Sequence, residues 1–120
     1  MPNKIIVRQS FQKQAKKLAK RYKSFPQDLQ KLVDELKENA SPGTSLGGNV
    51  YKIRLAISSK NKGKSGGARV ISYVYQIAEI VYLLSIYDKS ETENISDNEL
   101  KRLIEDVEAD FKWTSKTQSL

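Results

Sequence analysis

The chain has 120 residues, with 21 Lys and Arg against 14 Asp and Glu, for a net charge of +7. This length suits one domain, which we predict to span residues 1–113 before a frayed polar tail at residues 114–120. Cysteine and histidine are absent, which excludes disulfides, thiolate zinc sites and a cysteine nucleophile. The N-terminus lacks the apolar stretch of a secretory signal, and together with the missing cysteines this predicts a cytoplasmic protein.

The first third of the chain is predicted to form a short strand and two helices. Lys4 to Gln9 contains three successive β-favouring residues. Ser10 is the predicted cap of a helix that runs to about Lys23, and Ser24 is the predicted cap of a second helix that ends by residues 39–43. The apolar residues at helical spacing are Phe11, Ala15, Leu18 and Tyr22 in the first helix and Leu29, Leu32, Val33 and Leu36 in the second. Their short connection predicts an antiparallel helical hairpin.

The rest of the domain is predicted to be a sheet followed by a helix. Residues 49–58 alternate between apolar and polar side chains, which indicates a strand. Residues 68–77 and 80–87 are apolar on both faces, and their short connection predicts an antiparallel hairpin of central strands. Ser96 and Glu99 form a capping-box pattern that opens the last helix. The predicted fold is therefore α+β, in the order β-α-α-β-β-β-α, with the helical hairpin packed on an antiparallel sheet.

The positive charge is concentrated in two segments. Residues 1–25 contain eight Lys or Arg and residues 41–78 contain six, and neither segment contains a carboxylate. Such segments favour binding to a polyanion, with nucleic acid as the leading candidate, whereas the alternative is that they serve solubility. Asp88, Glu91 and the other acidic residues near the C-terminus lack the spacing of a calcium site, so we interpret them as solvent-exposed.

A candidate phosphate-binding site lies on the predicted sheet. Lys52 and Arg54 are two residues apart, so they lie on one face of a strand. Like charges at neighbouring positions repel each other, which favours a phosphate site over an ordinary exposed sheet face. Arg69, at the start of the next strand, and Lys89, just after the last strand, complete a predicted basic ring around this site.

Further lysines are candidate contacts to an RNA backbone. Lys60, Lys62 and Lys64 lie in the glycine-rich loop of residues 59–67, and Lys16 and Lys20 lie on the first helix. For the helix lysines the alternative is an ordinary solvent-exposed face. The GKS tripeptide of the loop lacks the first glycine of a nucleotide-binding P-loop and joins two strands, so nucleotide binding is not predicted.

Four segments, taken together, resemble a known family. They are Leu46–Gly48, Tyr51–Leu55, Gly63–Ile71 and Tyr82–Glu91, and they are similar to toxins of the RelE superfamily, especially its HigB-like branch. The resemblance implies the toxin of a type II toxin–antitoxin system. Such toxins are mRNA interferases, endoribonucleases that cut mRNA on the ribosome without a cofactor and are held inactive by a partner antitoxin.

The resemblance also implies roles for the basic ring. RelE-type toxins carry basic residues at the positions matched by Lys52, Arg54, Arg69 and Lys89, and they carry a tyrosine at a position that is Ile95 here. The RNA 2′-hydroxyl can attack the adjacent phosphate without a metal. For that reaction Arg69 is the candidate for binding the phosphorane oxygens and Lys52 is the candidate general base.

Two further roles and two alternative functions remain open at this point. Lys89 is a candidate proton donor, and Tyr87 is a candidate for stacking on a base. The ParE branch shares the fold but inhibits DNA gyrase without cutting RNA. The third possibility is an RNA-binding protein without catalytic activity.

Overall fold

The computed structural model describes residues 3–60, 63, 66–92 and 94–118, and the side chains of these residues up to Asp110. Within this part the chain forms three helices, five strands and one short 3₁₀ turn. In chain order they are β1 (Lys4–Val7), α1 (Gln9–Arg21), α2 (Phe25–Glu38), β2 (Thr44–Gly47), β3 (Val50–Leu55), the 3₁₀ turn (Ser58–Lys60), β4 (Ala68–Tyr75), β5 (Ile80–Asp88) and α3 (Asp97–Gln118).

The predicted α+β class and the pairing of the central strands are confirmed. The sheet order is β1-β5-β4-β3-β2, and β5, β4, β3 and β2 pair in antiparallel fashion. The predicted antiparallel sheet is thus present in these four strands, and at one edge β1 pairs parallel to β5. The helical hairpin and three further strands separate β1 from β5 along the chain, so no turn imposes an antiparallel direction on this pair.

The sequence analysis missed the edge strand β2. All four of its residues are exposed, so its composition lacks the apolar alternation by which strands are recognised. The turn that joins β2 to β3 is what marks this strand. Gly47, Gly48 and Asn49 all have positive φ angles there, a conformation that glycine adopts without strain.

Helices α1 and α2 cover one face of the sheet, as the apolar periodicity predicted. Buried residues of this layer are Phe11 and Leu18 of α1, Leu32 and Leu36 of α2, and Ile53, Leu55, Val70 and Leu83 of the sheet. Ser10 is not the cap of α1. The cap residue is Arg8, and the Ser10 hydroxyl donates a 2.6 Å hydrogen bond to the carbonyl of Leu84 instead.

Helix α3 covers the opposite face. Leu103 and Val107 are buried against the side chains of Val50, Ile71 and Leu84. Ser96 caps the helix as predicted, since its hydroxyl accepts a 3.1 Å hydrogen bond from the backbone N–H of Glu99. The helix continues to residue 118 and so includes the start of the segment that we predicted as a tail; the division of the chain at residue 113 stays a prediction.

Strand β3 is shorter than predicted, and this shapes the loop that follows it. The strand ends at Leu55, and the chain then turns at residues 58–60 before β4 begins. Gly67 lies against the end of β3, where a Cβ atom would meet the carbonyl oxygen of Leu55 at 2.0 Å. Only glycine allows this close approach.

No helix in the described part of the chain is long and apolar enough to cross a membrane.

Candidate active site

Three of the predicted site residues lie in a row across the three central strands of the sheet, near one end of those strands. Arg54 of β3 is the direct partner of Arg69 of β4, and Arg69 is the direct partner of Tyr87 of β5. Ile53 and Leu55 face α1 and α2, so Arg54 between them faces the side that carries α3. Neighbouring strands are about 4.8 Å apart. The register therefore places two guanidinium groups and a phenol side by side, in what we call the cross-strand row (Arg54, Arg69 and Tyr87).

Lys52 extends the cross-strand row along β3. It is two residues before Arg54 and lies on the same face of the strand. The Lys52 Nζ donates a 3.3 Å hydrogen bond to the Oδ1 of Asn94, in the connection between β5 and α3. Arg54 is exposed, whereas Lys52 is half-buried. Among the described residues, the Lys52 amine is thus held by a neutral amide.

Arg69 is the buried cation of the site. The residue is only 4% exposed, and its Nη1 donates a 3.1 Å hydrogen bond to the carbonyl of Ala68. Burial, followed by the neighbouring charge of Arg54, lowers the pKa of the Arg69 guanidinium, while Tyr87 acts in the opposite direction. A guanidinium still remains charged at neutral pH, so the site contains a fixed, poorly hydrated positive charge.

Tyr87 supplies a buried hydroxyl beside Arg69. Among the described residues, the backbone N–H of Ile95 lies near this hydroxyl, at a geometry too poor for a regular hydrogen bond. Burial raises the pKa of Tyr87, and the backbone N–H of Ile95 and the charge of Arg69 oppose that rise without cancelling it. Tyr87 is therefore a neutral phenol at physiological pH and can donate a proton or a hydrogen bond.

Lys89 lies just beyond the cross-strand row. Its backbone N–H donates a 3.1 Å hydrogen bond to the carbonyl of Gly67, which ties the end of β5 to the end of the 59–67 loop. Its side chain is exposed. The structure thus fixes the backbone of Lys89 near Tyr87 and leaves its amine in solvent.

Lys60, which the sequence placed in the glycine-rich loop, has a largely buried side chain with two hydrogen-bond partners. Its Nζ donates hydrogen bonds to Asp88 Oδ1 at 2.7 Å and to the carbonyl of Gly66 at 3.0 Å. Its side chain is 9% exposed. Lys62 and Lys64, the other predicted loop contacts, lie outside the described residues.

The two lysines of α1 are not part of the cross-strand row. Lys16 and Lys20 are exposed on α1, which packs on the opposite face of the sheet. Lys20 and its neighbours Lys17 and Arg21 border a cleft of about 550 Å³ between α1 and the end of β5. The cleft reaches Tyr87, so Lys20 lies on an open path towards the end of the cross-strand row, whereas Lys16 borders a separate groove between α1 and α2.

Asp88 was misinterpreted from the sequence. We interpreted it as solvent-exposed, but its side chain is 1% exposed and accepts hydrogen bonds from Lys60, Tyr22 and Ser90. Burial alone would raise the pKa of this carboxyl, and the three donors outweigh that effect and hold it far below its usual range. The strand alternation could have indicated this burial. Asp88 comes two residues after the buried Ile86, so both side chains lie on the same, buried face of β5. Among the described residues, no group of three acidic side chains is arranged to hold a metal ion.

Comparisons with known proteins identify the family and the fold. Residues 3–118 match the protein family described as the RelE toxin of the RelE/RelB toxin–antitoxin system. A solved structure of a double arginine-to-alanine mutant of the E. coli toxin RelE, in the free state, is similar in fold. That comparison has a TM-score of 0.56 and 20% sequence identity, and it covers 78% of this chain and 90% of the E. coli chain.

Proposed function

Because this chain belongs to the RelE toxin family of toxin–antitoxin systems, we propose that it cuts mRNA in the ribosomal A site and is held inactive by a cognate antitoxin. The observation that carries this proposal is the cross-strand row, in which two guanidinium groups and a neutral phenol are direct neighbours. This combination suits a phosphodiester whose negative charge increases during the reaction.

The proposed reaction is an internal transesterification. The 2′-oxygen of the RNA forms a bond to the adjacent phosphorus, and the bond from phosphorus to the 5′-oxygen of the next nucleotide breaks. The proton of the 2′-hydroxyl passes to a base on the protein, and another proton passes to the leaving 5′-oxygen. The products are a 2′,3′-cyclic phosphate and a 5′-hydroxyl. The protein must orient the hydroxyl, stabilise the added charge and transfer these two protons.

Arg69 is the proposed ligand of the phosphorane oxygens. Its guanidinium is buried, and in such surroundings a fixed charge acts more strongly than it does in water. Arg54 adds a second cation at the adjacent strand position. Two donors with forked geometry match the oxygens of a phosphate group.

Lys52 is the proposed general base. It lies two residues from Arg54 on the same face of β3, next to the proposed phosphate ligands. The hydrogen bond to Asn94 orients the Lys52 amine. Substitution of Asn94 should therefore alter the orientation of the base more than the binding of RNA.

Tyr87 is the proposed proton donor to the leaving oxygen. Its hydroxyl is buried, protonated at neutral pH and not held by a regular hydrogen bond from another described residue. The resemblance places a tyrosine of the family at the position of Ile95, and here the Tyr87 hydroxyl lies near the backbone of Ile95. Tyr87 thus supplies a phenol beside the backbone of position 95, from a different residue. Lys89, with its exposed amine, is assigned to phosphate contact, and base stacking by Tyr87 becomes the alternative.

RNA outside the scissile phosphate is proposed to follow the basic surfaces on either side. Lys20 borders the cleft that reaches Tyr87, and Lys62 and Lys64 lie in the loop that precedes β4. Lys16 is a more remote contact on the same helix as Lys20. Lys60 is left out of this set because its amine is engaged by Asp88 and Gly66.

The decisive experiment maps the ends of mRNA after incubation with the purified chain and translating ribosomes. We expect cuts that require the ribosome and leave a 2′,3′-cyclic phosphate and a 5′-hydroxyl. A matched mRNA with a 2′-deoxynucleotide at the cut position should resist cleavage. Ends that carry a 3′-hydroxyl and a 5′-phosphate would contradict the proposed chemistry. Inhibition of DNA gyrase without RNA cleavage would instead support the ParE-like alternative.

A further inference from the structure

Asp88 is a buried carboxylate at the centre of a local network. Its Oδ1 accepts hydrogen bonds from Lys60 Nζ at 2.7 Å, from Ser90 Oγ at 2.7 Å and from the Ser90 backbone N–H at 2.9 Å. Its Oδ2 accepts a 2.6 Å hydrogen bond from the hydroxyl of Tyr22, at the end of α1. Arg21 Nη1 lies 3.8 Å from the same oxygen. The carboxylate thereby connects α1, the 3₁₀ turn and the end of β5.

Lys60 connects the same carboxylate to both ends of the loop that precedes β4. Its backbone lies at the start of the loop, and its Nζ donates to the carbonyl of Gly66 near the end of it. The amine also lies 5.0 Å from the centre of the Tyr22 ring, a favourable cation–π distance. The side chain therefore has partners on all sides and cannot reach a ligand without breaking the ion pair.

A second buried carboxylate anchors the turn that carries Lys60. Asp28 accepts hydrogen bonds from the Ser58 hydroxyl at 2.7 Å and from the Ser58 backbone N–H at 2.9 Å. The hydroxyl of Ser24 also donates to Asp28, at 2.8 Å, and accepts from the backbone N–H of Ser59. The base of the loop is thus fixed to α2 before Lys60 extends towards Asp88.

We propose that the ion pair between Asp88 and Lys60 is a positioning device for the active site and not a contact to RNA. Asp88 lies between Tyr87 and Lys89 in the chain, so fixing its side chain on one face of β5 fixes the Tyr87 side chain on the other. The role in catalysis rests on the proposed function; the role in holding the end of β5 does not. Neither Lys60 nor Asp88 touches the reacting atoms.

The strand register explains how the pair transmits its effect. Asp88 is the direct partner of Ala68, and Tyr87 is the direct partner of Arg69. One residue further on, the Lys89 backbone N–H bonds to the carbonyl of Gly67. Loss of the ion pair is expected to loosen this last stretch of β5 and β4 pairing, because it lies at the end of both strands, where local opening begins. The Tyr87 hydroxyl would then lose its fixed distance to the Arg69 guanidinium.

The test compares four variants of the full chain. Lys60→Met removes the charge at nearly constant length, Asp88→Asn keeps the shape of the carboxylate, and Lys60→Arg keeps a cation. The matched control is Lys37→Gln, which removes one positive charge from an exposed position on α2, outside the proposed RNA path. For each variant we would measure the affinity for a single-stranded RNA oligonucleotide at several salt concentrations, the single-turnover cleavage rate of ribosome-bound mRNA at saturating protein, and the hydrogen exchange of the Lys89 amide.

We expect Lys60→Met and Asp88→Asn to cleave about 10- to 100-fold more slowly at saturation, since small misplacements of reacting groups cost this much. Their RNA affinity and its salt dependence should stay at the parent values, and Lys60→Arg should recover most of the rate. Lys37→Gln should leave the saturating rate, the RNA affinity and the Lys89 exchange at the parent values. If Lys60→Met instead lowers the RNA affinity and reduces the salt slope by about 0.7 while the saturating rate stays unchanged, then Lys60 is an RNA contact and the proposal is wrong.

Hydrogen exchange separates this proposal from the proposed function. The Lys89 amide should exchange faster in Lys60→Met and in Asp88→Asn, while the amides of Val70 and Ile86 keep their parent rates. Unchanged exchange at Lys89 would overturn the positioning role even if cleavage were lost. A parent chain that cuts no RNA would contradict the proposed function alone. If either variant fails to fold, Tyr22→Phe removes a single hydrogen bond to Asp88 and should increase exchange at Lys89 in the same direction.

Discussion

Arg54 and Arg69 are direct partners in the antiparallel pairing of β3 and β4. Like charges at directly opposed positions destabilise a sheet, and burial together with Arg54 lowers the pKa of Arg69. A bound phosphate would remove this repulsion by placing negative charge between or above the two groups. Under the proposed function, the pairing of Arg54 with Arg69 serves to bind the scissile phosphate.

The first prediction concerns Arg69. Arg69→Ala should reduce the single-turnover cleavage rate by about 100-fold or more, because removal of one preorganised donor to a developing charge has an effect of this size. Growth inhibition should disappear with it. Cleavage assays and far-UV circular dichroism, to verify that the variant folds, would check this.

Arg102→Ala is the matched control for Arg69→Ala. Arg102 is exposed on α3, and its loss removes the same formal charge away from the cross-strand row. It should leave the rate unchanged. Full toxicity of Arg69→Ala at equal expression would remove Arg69 from the catalytic assignment.

The second prediction concerns the hydroxyl of Tyr87. Tyr87→Phe should lower the saturating cleavage rate while RNA affinity stays constant, because only a proton or hydrogen-bond donor is lost. The free energy of unfolding should stay constant or rise by about 1 kcal/mol, since a buried hydroxyl without a regular hydrogen bond is removed. Equal thermal stability with a normal cleavage rate would assign Tyr87 to packing or stacking.

The pH dependence of cleavage follows from the protonation of Tyr87. Its pKa is raised by burial above the ordinary tyrosine value, which is roughly 10. The phenol is the active form, so its contribution is present at neutral pH and is lost only as the pH rises through the raised pKa. The Tyr87→Phe variant should lack this alkaline decrease in rate.

The third prediction concerns acid stability. The folded-state pKa of Asp88 lies far below its unfolded value, so its stabilising effect is present above about pH 4 and is lost as the pH falls towards the folded-state pKa. Asp88→Asn should lower the free energy of unfolding at pH 7 by about 3 kcal/mol, the scale for breaking a buried ion pair. The free energy of unfolding of Asp88→Asn should also fall less than that of the parent chain as the pH is lowered.

Denaturant titrations from pH 7 down to pH 2 would measure both effects of Asp88→Asn. Asp106→Asn, at an exposed position on α3, is the control and should change neither. A parent chain whose stability is flat through acid pH would show that Asp88 makes no net contribution.

The fourth prediction concerns the lysines of α1. The double variant Lys16→Gln with Lys20→Gln should weaken RNA binding and lower the salt slope by about 1.4, if each lysine releases the counterions of one single-strand phosphate contact. The saturating cleavage rate should not change. The charge-matched control is Lys37→Gln with Lys101→Gln, both exposed and outside the proposed RNA path. Equal slopes for the two double variants would leave the α1 lysines as an ordinary solvent-exposed face.

The fifth prediction concerns the antitoxin. The basic segment at residues 41–78 contains no carboxylate, so an acidic antitoxin segment should be attracted to the cross-strand row. The association rate should fall steeply with ionic strength, because salt screens attraction between opposite charges, while the dissociation rate should change less. Stopped-flow measurements at several salt concentrations would check this. An association rate independent of salt would place the main contact on an apolar surface.

Much of the fold follows from local patterns in the sequence. The stripe from Phe11 to Leu18 predicted the buried face of α1, and Ser96 was identified as the cap of α3 from its spacing to Glu99. The alternation around Ile53 correctly placed Lys52 and Arg54 on one face of β3. These features depend on the period of a single element, which a sequence displays directly.

Other features depend on contacts between residues far apart in the chain. The parallel pairing of β1 with β5 and the exposed edge strand β2 have no local periodicity that reveals them. Lys60 and Asp88 are 28 residues apart, and sequence proximity to a glycine-rich loop suggested the wrong surroundings for Lys60. A charge is interpreted from sequence as exposed because burial of an ion is costly, and only a tertiary partner can reverse that inference.

The sequence by itself determined the class of elements, the basic character of the protein and the identity of its candidate phosphate ligands, because side-chain chemistry and element period are properties of the chain. The tertiary structure decided the surroundings of each of these cations. Arg69 faces Tyr87 across β4 and β5, whereas Lys60 is held by Asp88. That difference follows from strand register and burial, which arise only when distant segments pack together.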